Sequence, residues 1–465
     1  MKRYKTICVV IVATLMCFGC QPPNLSDISA KPKEWLSNAK SNLPVNYKND
    51  NAESKATMLT LDKILSTSSS DVDVGNTFSA FIRNAVTNDP TVQSVKSRLE
   101  ANEYSVGITR AQKDFKFSST LYAGIEDLTD ETAGLAVVLD ANKIIFDGGA
   151  IDAQILRDTF TLEASRQDYI STLNDRANHF LDIWVDLEQY SALNANIERR
   201  LVVLNPLIEQ LEKVAQAGVG DVSKVAAAQR TVSAIKVTQT DVAERLLQAQ
   251  LSFENAFGLL PVGQKFDGEL IKSAVPNQIT NEIYLGAPAL MAQYARYKAT
   301  EAEILISRAK NDFNVGFQTR VSRPFSGSDF SSDESIGLVV RKDLYQGETL
   351  KLQIDNAKAE AVASIAATKA TYREGKRRIK TALQSIMSMD KALRLARENA
   401  KVTAEEIAYL RKQLVIGGSS LDSVLSAEAR LYEAESQEVN FLAERRKSEL
   451  RILNYTGLLS KALGI

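Results

Sequence analysis

The sequence predicts a mainly helical chain with a small β part, assembled from two copies of one unit. Three observations carry that reading. The stretch Gly149 to Gln216 contains a single proline, Pro206, and the stretch Glu348 to Ile416 contains none, so each supports an unusually long helix. At 1.5 Å per residue, either helix would run about 100 Å. Two shorter stretches, Phe115–Ile125 and Phe313–Ser322, alternate apolar and polar residues, the period of a strand with one wet face. Finally, residues 88–115 recur at 286–313 with a constant offset of 198. Pro90, Ala111, Asp114 and Phe115 return as Pro288, Ala309, Asp312 and Phe313.

The repeat continues through the rest of the unit. IIFDGGAIDAQI (144–155) returns as DLYQGETLKLQI (343–354), with Phe146, Gly148, Gln154 and Ile155 matched by Tyr345, Gly347, Gln353 and Ile354, now 199 apart. Gly218, Val225 and Ala228 return as Gly417, Val424 and Ala427 at the same offset. The period is far longer than that of a solenoid and points to a duplicated half. The resulting division is 1–19 signal peptide, 20–77 polar N-terminal linker, 78–262 first repeat, 263–281 inter-repeat linker and 282–463 second repeat.

Each element has a local reason. The N-terminus carries Lys2, Arg3 and Lys5 before an apolar run, Ile7 to Phe18, too short to span a membrane and suited to a secretory signal. The following CFGC looks like a lipoprotein processing site, with lipidation at Cys20 or ordinary cleavage nearby as the two readings. All three cysteines lie within the first 20 residues, so the body holds no disulfide framework or cysteine metal site. Residues 21 to about 76, with four prolines and the run Ser66–Ser70, read as a linker.

Each repeat then opens a helix at Pro90 or Pro288, where proline suits the first turn. A strand follows, then a polar hairpin loop (126–132 or 323–334) and a weaker strand (Leu135–Ile145 or Ile336–Tyr345). Strands of about ten residues, tilted, match the apolar thickness of a bilayer. Gly148 and Gly347 mark the junction from strand to long helix, because glycine allows the abrupt change of backbone angles. In the first long helix Leu173, Phe180, Leu187, Leu201 and Ile208 fall on a seven-residue comb interrupted by Asn194, the pattern of supercoiled packing. Pro206 is expected to bend this helix. Glycine-led turns, AGVGDVSKV (217–225) and IGGSSLDSV (416–424), end the long helices, and return helices run to near Phe257 and near Leu463.

In this order and duplication the chain resembles the TolC-like outer-membrane factor family. The carriers are the two proline helix starts, FDGG (146–149), LYQG (344–347), the glycine-led tips and, most specifically, VIGGSSLDSVLSAEARLYEAE (415–435). The resemblance implies a homotrimer in which each chain gives four strands to one 12-stranded outer-membrane β-barrel, continued by a long periplasmic α-helical barrel. It implies a passive exit duct of a tripartite efflux pump or type I secretion system. The partners would be a periplasmic adaptor (membrane fusion) protein, an inner-membrane RND or ABC transporter and outer-membrane lipid. It also implies a periplasmic gate at the tips, formed here by Gly218, Asp221, Lys224, Gly417, Gly418 and Asp422. The sequence departs from the family there. Lys224 stands where an acid is common, and Asp422 reads first as a first-turn helix carboxylate and second as a ring carboxylate. Gln21 after Cys20 agrees with an outer-membrane home.

Other function classes find little support. A net charge of −1 gives no field for nucleic acid. His179 is the only histidine, and no nucleophile, phosphate-loop or metal motif occurs in its required context. No enzyme activity and no cofactor are expected. The alternative from another class is a periplasmic coiled-coil structural or adaptor protein without a membrane barrel; it needs the long helices but not the strands.

Overall fold

The computed structural model describes residues 77–127, 132–217, 222–258, 265–325, 332–345, 347–416 and 418–465. The signal, Cys20 and the N-terminal linker lie outside the described residues, as do Gly218, Asp221 and Gly417. The chain divides into a sheet unit, formed by residues 113–146 and 313–342, and a helical unit formed by the rest of the described chain.

The sheet unit holds four antiparallel strands in the order β1 (Lys116–Asp127), β2 (Thr132–Phe146), β3 (Asn314–Pro324), β4 (Asp333–Arg341). Both β1–β2 and β3–β4 are hairpins, and β2 pairs with β3 across the two halves of the sequence. The fourth strand was expected to reach Tyr345 but stops at Arg341, because its partner β3 begins at Asn314, which pairs with Arg341. Beyond that pair no backbone remains to continue the ladder.

The helical unit contains α1 (Phe78–Asn88), α2 (Pro90–Ala111), α3 (Ala150–Gln216), α4 (Val222–Phe257), α5 (Gly268–Ala274), α6 (Asn281–Leu285), α7 (Pro288–Ala309), α8 (Thr349–Val415), α9 (Leu421–Thr456) and α10 (Leu458–Leu463). The long helices match in length across the halves: α2 and α7 have 22 residues, α3 and α8 have 67, and α4 and α9 have 36. Local chemistry fixes the starts. Asp89 caps α2, its Oδ1 accepting from the amides of Thr91 (2.8 Å) and Val92 (3.3 Å), with Pro90 in the first turn. Thr77 caps α1 through the amide of Ala80.

The core forms where α1, α3, α4, α5, α9 and α10 converge. Trp184 of α3 is buried among Phe78, Phe81, Phe253 and Phe257, mostly edge to face. The comb residues Leu173, Phe180 and Leu187 belong to this cluster, and Leu201 and Ile208 to a second one shared by α3 and α4. Asn194, the interruption, is only partly buried and bonds Glu198 on the next turn.

Two features depart from the sequence reading, and Pro206 sits within one continuous helix. The last helix breaks at Gly457, which adopts φ 72° and separates α9 from α10. A Cβ there would lie 2.5 Å from Pro288 Cγ, so glycine lets the end of α9 press on the start of α7. The stretch between the halves is not bare linker. Its α5 is capped by Asp267, and Ile271 is fully buried in the Trp184 cluster. Helix α3 continues through Pro206, whose missing hydrogen bond falls to the carbonyl of Val202, a residue 73% exposed and able to turn to water.

Candidate channel wall and helix tips

Residues directly opposite each other in antiparallel strands share a face, so the registers sort the sheet into two surfaces. One carries Phe117, Leu121, Val137, Leu139, Phe317, Val321, Ile336, Leu338 and Val340. The other carries Ser118, Thr120, Tyr122, Asp140, Asn142, Gln318, Arg320, Ser322, Ser335 and Arg341 with a few small or apolar residues. On this wet face Arg320 donates to Asp140, its cross-strand partner, at 2.8 Å. Tyr122 therefore lies on the polar face, while Tyr345 lies outside the strands.

The apolar face is bare within one chain. Phe117 is 75% exposed and Ile336 76%. Charges bound it along the strands, with an Arg323–Glu334 ion pair towards the hairpin loop and Lys143 over the Phe115 ring towards the other end. An apolar band bounded in this way suits a hydrocarbon layer with polar margins. The outer edges of β1 and β4 have no strand beside them among the described residues.

The predicted junction glycines differ in their surroundings. Gly148 has φ 67°, and a Cβ would lie 2.5 Å from Asp312 Cβ and 3.0 Å from the Ala309 carbonyl oxygen. Beside it Asp147 accepts from the amides of Gly149 (3.0 Å) and Ile151 (2.7 Å), closing the start of α3. Gly347 has φ 64° and open space around it.

At the tips, the α8–α9 turn is built from its own backbone. Gly418 N–H donates to the Gln413 carbonyl at 2.8 Å, and Ser419 Oγ donates to the Leu410 carbonyl at 2.9 Å. Ser420 is the cap of α9, accepting from the Ser423 amide, and Asp422 sits in the first turn, where a carboxylate meets the helix dipole favourably. Lys224 is exposed in the first turn of α4. Gly418 and Asp422 thus share one turn, and Lys224 belongs to the other.

Two polar sites went unforeseen. Arg200 of α3 is buried against Glu428 of α9 and also bonds Glu435 at 2.9 Å, while Arg411 of α8 reaches Glu428 at 2.8 Å. One carboxylate therefore ties three helices together near the tips. The other site is Asp182 of α3, whose Oδ2 accepts from Asn178 at 2.8 Å while its buried Oδ1 has no partner among the described residues. Burial pushes the Asp182 carboxyl up to about 6, against the pull of Lys447 and Arg451. In sequence, both residues look like ordinary charged positions on a solvated helix. No group of metal-ligating residues occurs among the described residues, and none of the described helices is long and apolar enough to cross a membrane.

Comparison with known proteins meets this geometry. Residues 280–458 match the family model described as outer membrane efflux protein. That segment, within the second half of the chain, is similar to outer membrane efflux proteins. Solved structures extend the likeness of fold to most of the chain. CusC, described in connection with transmembrane channel formation, aligns over 81% of this chain and 91% of its own at 14% identity and a TM-score of 0.70. VceC, an outer membrane protein of Vibrio cholerae, aligns over 81% and 95% at 16% identity and a TM-score of 0.67. The MtrE outer membrane channel of Neisseria gonorrhoeae, in its open state, aligns over 82% and 88% at 15% identity and a TM-score of 0.68. Among curated proteins no significant sequence match was found. The fold is thus the expected one, a largely helical chain with a small antiparallel β part.

Proposed function

We propose that this protein is one subunit of a passive exit duct in the bacterial outer membrane, serving a tripartite efflux pump. The observation that carries the reading is the four-stranded sheet, apolar and bare on one face, polar on the other, with no further strand beside either outer edge among the described residues. Four strands cannot enclose a pore, and open edges in lipid leave backbone groups unpaired. Three copies in cyclic symmetry would close 12 strands into one barrel, since each gives four. The apolar face then meets outer-membrane lipid and the polar face lines water.

In this reading the long helices form the periplasmic stalk, and a periplasmic adaptor docks at the tips around Gly218, Lys224, Gly417 and Asp422. An inner-membrane RND or ABC transporter supplies the energy, and the duct itself catalyses nothing. The two repeats, 78–262 and 282–463, act as quasi-equivalent halves. Cys20 carries a lipid anchor; Cys20→Ser would then leave an unacylated precursor, read by mass. A coiled-coil protein without a barrel has no use for the sheet.

Electron microscopy of the detergent-solubilised protein is the direct test. Threefold hollow particles that also conduct ions in planar bilayers are the expected result. Single chains, or solid rods without conductance, would overturn the reading.

A further inference from the structure

The wet face of the sheet changes character along its length. At its middle Arg320 donates to Asp140 at 2.8 Å, and towards the hairpin loops Asp333 stands opposite Ser322. At the other end stand Lys116, the first residue of β1, and Arg341, the last of β4. Neither has an acidic partner among the described residues. The end opposite the hairpin loops therefore carries positive charge that no carboxylate offsets.

A hollow of about 330 Å³ opens on the wet face beside Arg341. Its lining includes Gly316, Asn142, Gln318, Asn314 and Arg341. The registers bring these residues together. Asn142 is opposite Gln318, Gly316 lies between Ile144 and Val339, and Asn314 is opposite Arg341. The backbone does not demand a glycine at 316. Its φ is not positive, and a Cβ there would find its nearest neighbour, the Lys143 carbonyl oxygen, at an ordinary 3.5 Å. The ladder's irregularity falls at Ile145 of β2, and Gly316 keeps its pairing with Ile144. The missing side chain leaves the hollow open, and a glycine inside a strand marks a place where another group approaches closely.

The lining has the chemistry of an oxyanion site. Asn142, Gln318 and Asn314 bring side-chain N–H donors, and Arg341 brings a planar fork of them. None of these side chains is bonded to another described residue. No carboxylate lines the hollow, and the nearest acid along β2, Asp140, is engaged by Arg320. A cation would meet Arg341 with nothing to offset it. A carboxylate, phosphate or sulfonate group would receive paired donation from the guanidinium and further bonds from the amides.

We infer that this hollow binds oxyanions, and that the wet face favours anionic cargo over cationic cargo of the same size. The cargo assignment rests on the duct reading and deepens it by naming a charge class; the hollow itself is built within one chain. In the duct, β4 lies beside β1 of the next copy and runs antiparallel to it. Lys116 of that copy then enters at the end that holds Arg341, and the added cation raises the local concentration of anions at the wall.

Charge-selective labelling of one thiol tests the site. Gly316→Cys adds a thiol where the hollow has room, and the natural cysteines all precede residue 21, so labelling is read by mass on the peptide that holds position 316. The reagents are sulfonatoethyl methanethiosulfonate, an anion, and trimethylammonioethyl methanethiosulfonate, a cation, applied to the detergent-solubilised full chain. The expected result is faster labelling by the anion, slowed by inorganic phosphate. Both effects should vanish when Arg341→Gln is added, and the preference should survive Arg341→Lys. At Thr120→Cys, on the same face towards the hairpin loops, the rates should not depend on Arg341. Equal rates for the two reagents, a preference that survives Arg341→Gln, or no effect of phosphate would overturn the site. Protection by phosphatidylglycerol vesicles but not by inorganic phosphate would overturn the soluble cargo. In a planar bilayer under a salt gradient, Arg341→Gln should shift the reversal potential towards cation preference, and an unchanged potential would overturn the cargo assignment. Wild-type protein that labels as expected but never conducts would overturn the duct reading and leave the oxyanion site standing.

Discussion

Arg200 and Glu428 meet in the interior of the helical unit, their side chains 10% and 3% exposed, and Glu428 is at the same time the partner of Arg411. A carboxylate so placed is hard to remove, because two guanidinium groups would keep their charge without it. Glu428→Gln is expected to destabilise the protein by about 1–3 kcal/mol, because Arg200 keeps Glu435 as a partner and Arg411 is half exposed to water. Replacing Arg200 and Glu428 together by Met and Leu should cost clearly less than the sum of the single changes. Thermal dissociation of the assembled protein in detergent would show both effects. Equal losses in the single and double variants' additive scheme would mean the pair is not coupled.

Asp182 gives a pH dependence whose sign follows from burial. Its carboxyl titrates near 6 in the folded chain, raised from an ordinary 3.8. Below the ordinary value both states hold the proton and there is no penalty. As pH rises the unfolded chain ionises first, so stability falls across the window from 3.8 to about 6 and stays lowered above it. Asp182→Asn should abolish that slope and raise stability at neutral pH by up to about 3 kcal/mol. Melting midpoints for wild type and variant should therefore converge near pH 4 and separate by pH 7; a constant gap would sink the assignment.

The junction glycines should respond unequally to the same change. Gly148→Ala combines a left-handed φ with a Cβ 2.5 Å from Asp312 Cβ, whereas Gly347→Ala meets open space and bears only the φ penalty. That penalty alone is about 1–2 kcal/mol. The yield of assembled protein in the membrane fraction should fall much further for Gly148→Ala. Equal yields would mean that the contact with Asp312 yields freely.

The two faces of the sheet predict opposite tolerance to charge. Ile336→Arg places a cation within the apolar band, at a cost of about 2–4 kcal/mol near the bilayer midplane. Gln318→Arg places it on the face that already holds Arg320 and Asp140. Membrane-inserted trimer should drop sharply for the first and little for the second. The reverse order would exchange the lipid and water faces.

Asp422 can serve α9 alone or the pore as well. If three copies ring the opening, Asp422→Ala lowers cation selectivity in a planar bilayer as well as weakening the first turn of α9. An unchanged reversal potential would leave only the helix role.

The long-range order of this fold was open to sequence reasoning because its signals are periodic and repeated. Proline-free stretches, alternation from Phe115 and the comb through Leu173 and Phe180 each report a local preference summed over many residues. What stayed hidden depends on a partner distant in sequence. The end of β4 at Arg341 is set by where β3 begins, and the break at Gly457 by the approach of Pro288. Arg200 and Asp182 carry no local mark of burial, because an isolated charge on a helix reads as solvated until the opposing helix is known. At the tips, the capping serine Ser420 explains the position of Asp422 without deciding its further role.

The open edges of β1 and β4 also bear on how the protein reaches its place. A lone subunit cannot enter the hydrocarbon layer by itself, because the amides and carbonyls along both edges would lose water with nothing in exchange. On the proposed duct reading, entry into the membrane and union with two other copies would therefore be one event rather than two in succession. Until it happened, an exported chain would wait in water with an apolar sheet face and, among the described residues, two unpaired strand edges, the condition that makes a polypeptide a client for chaperones and, in their absence, for aggregation.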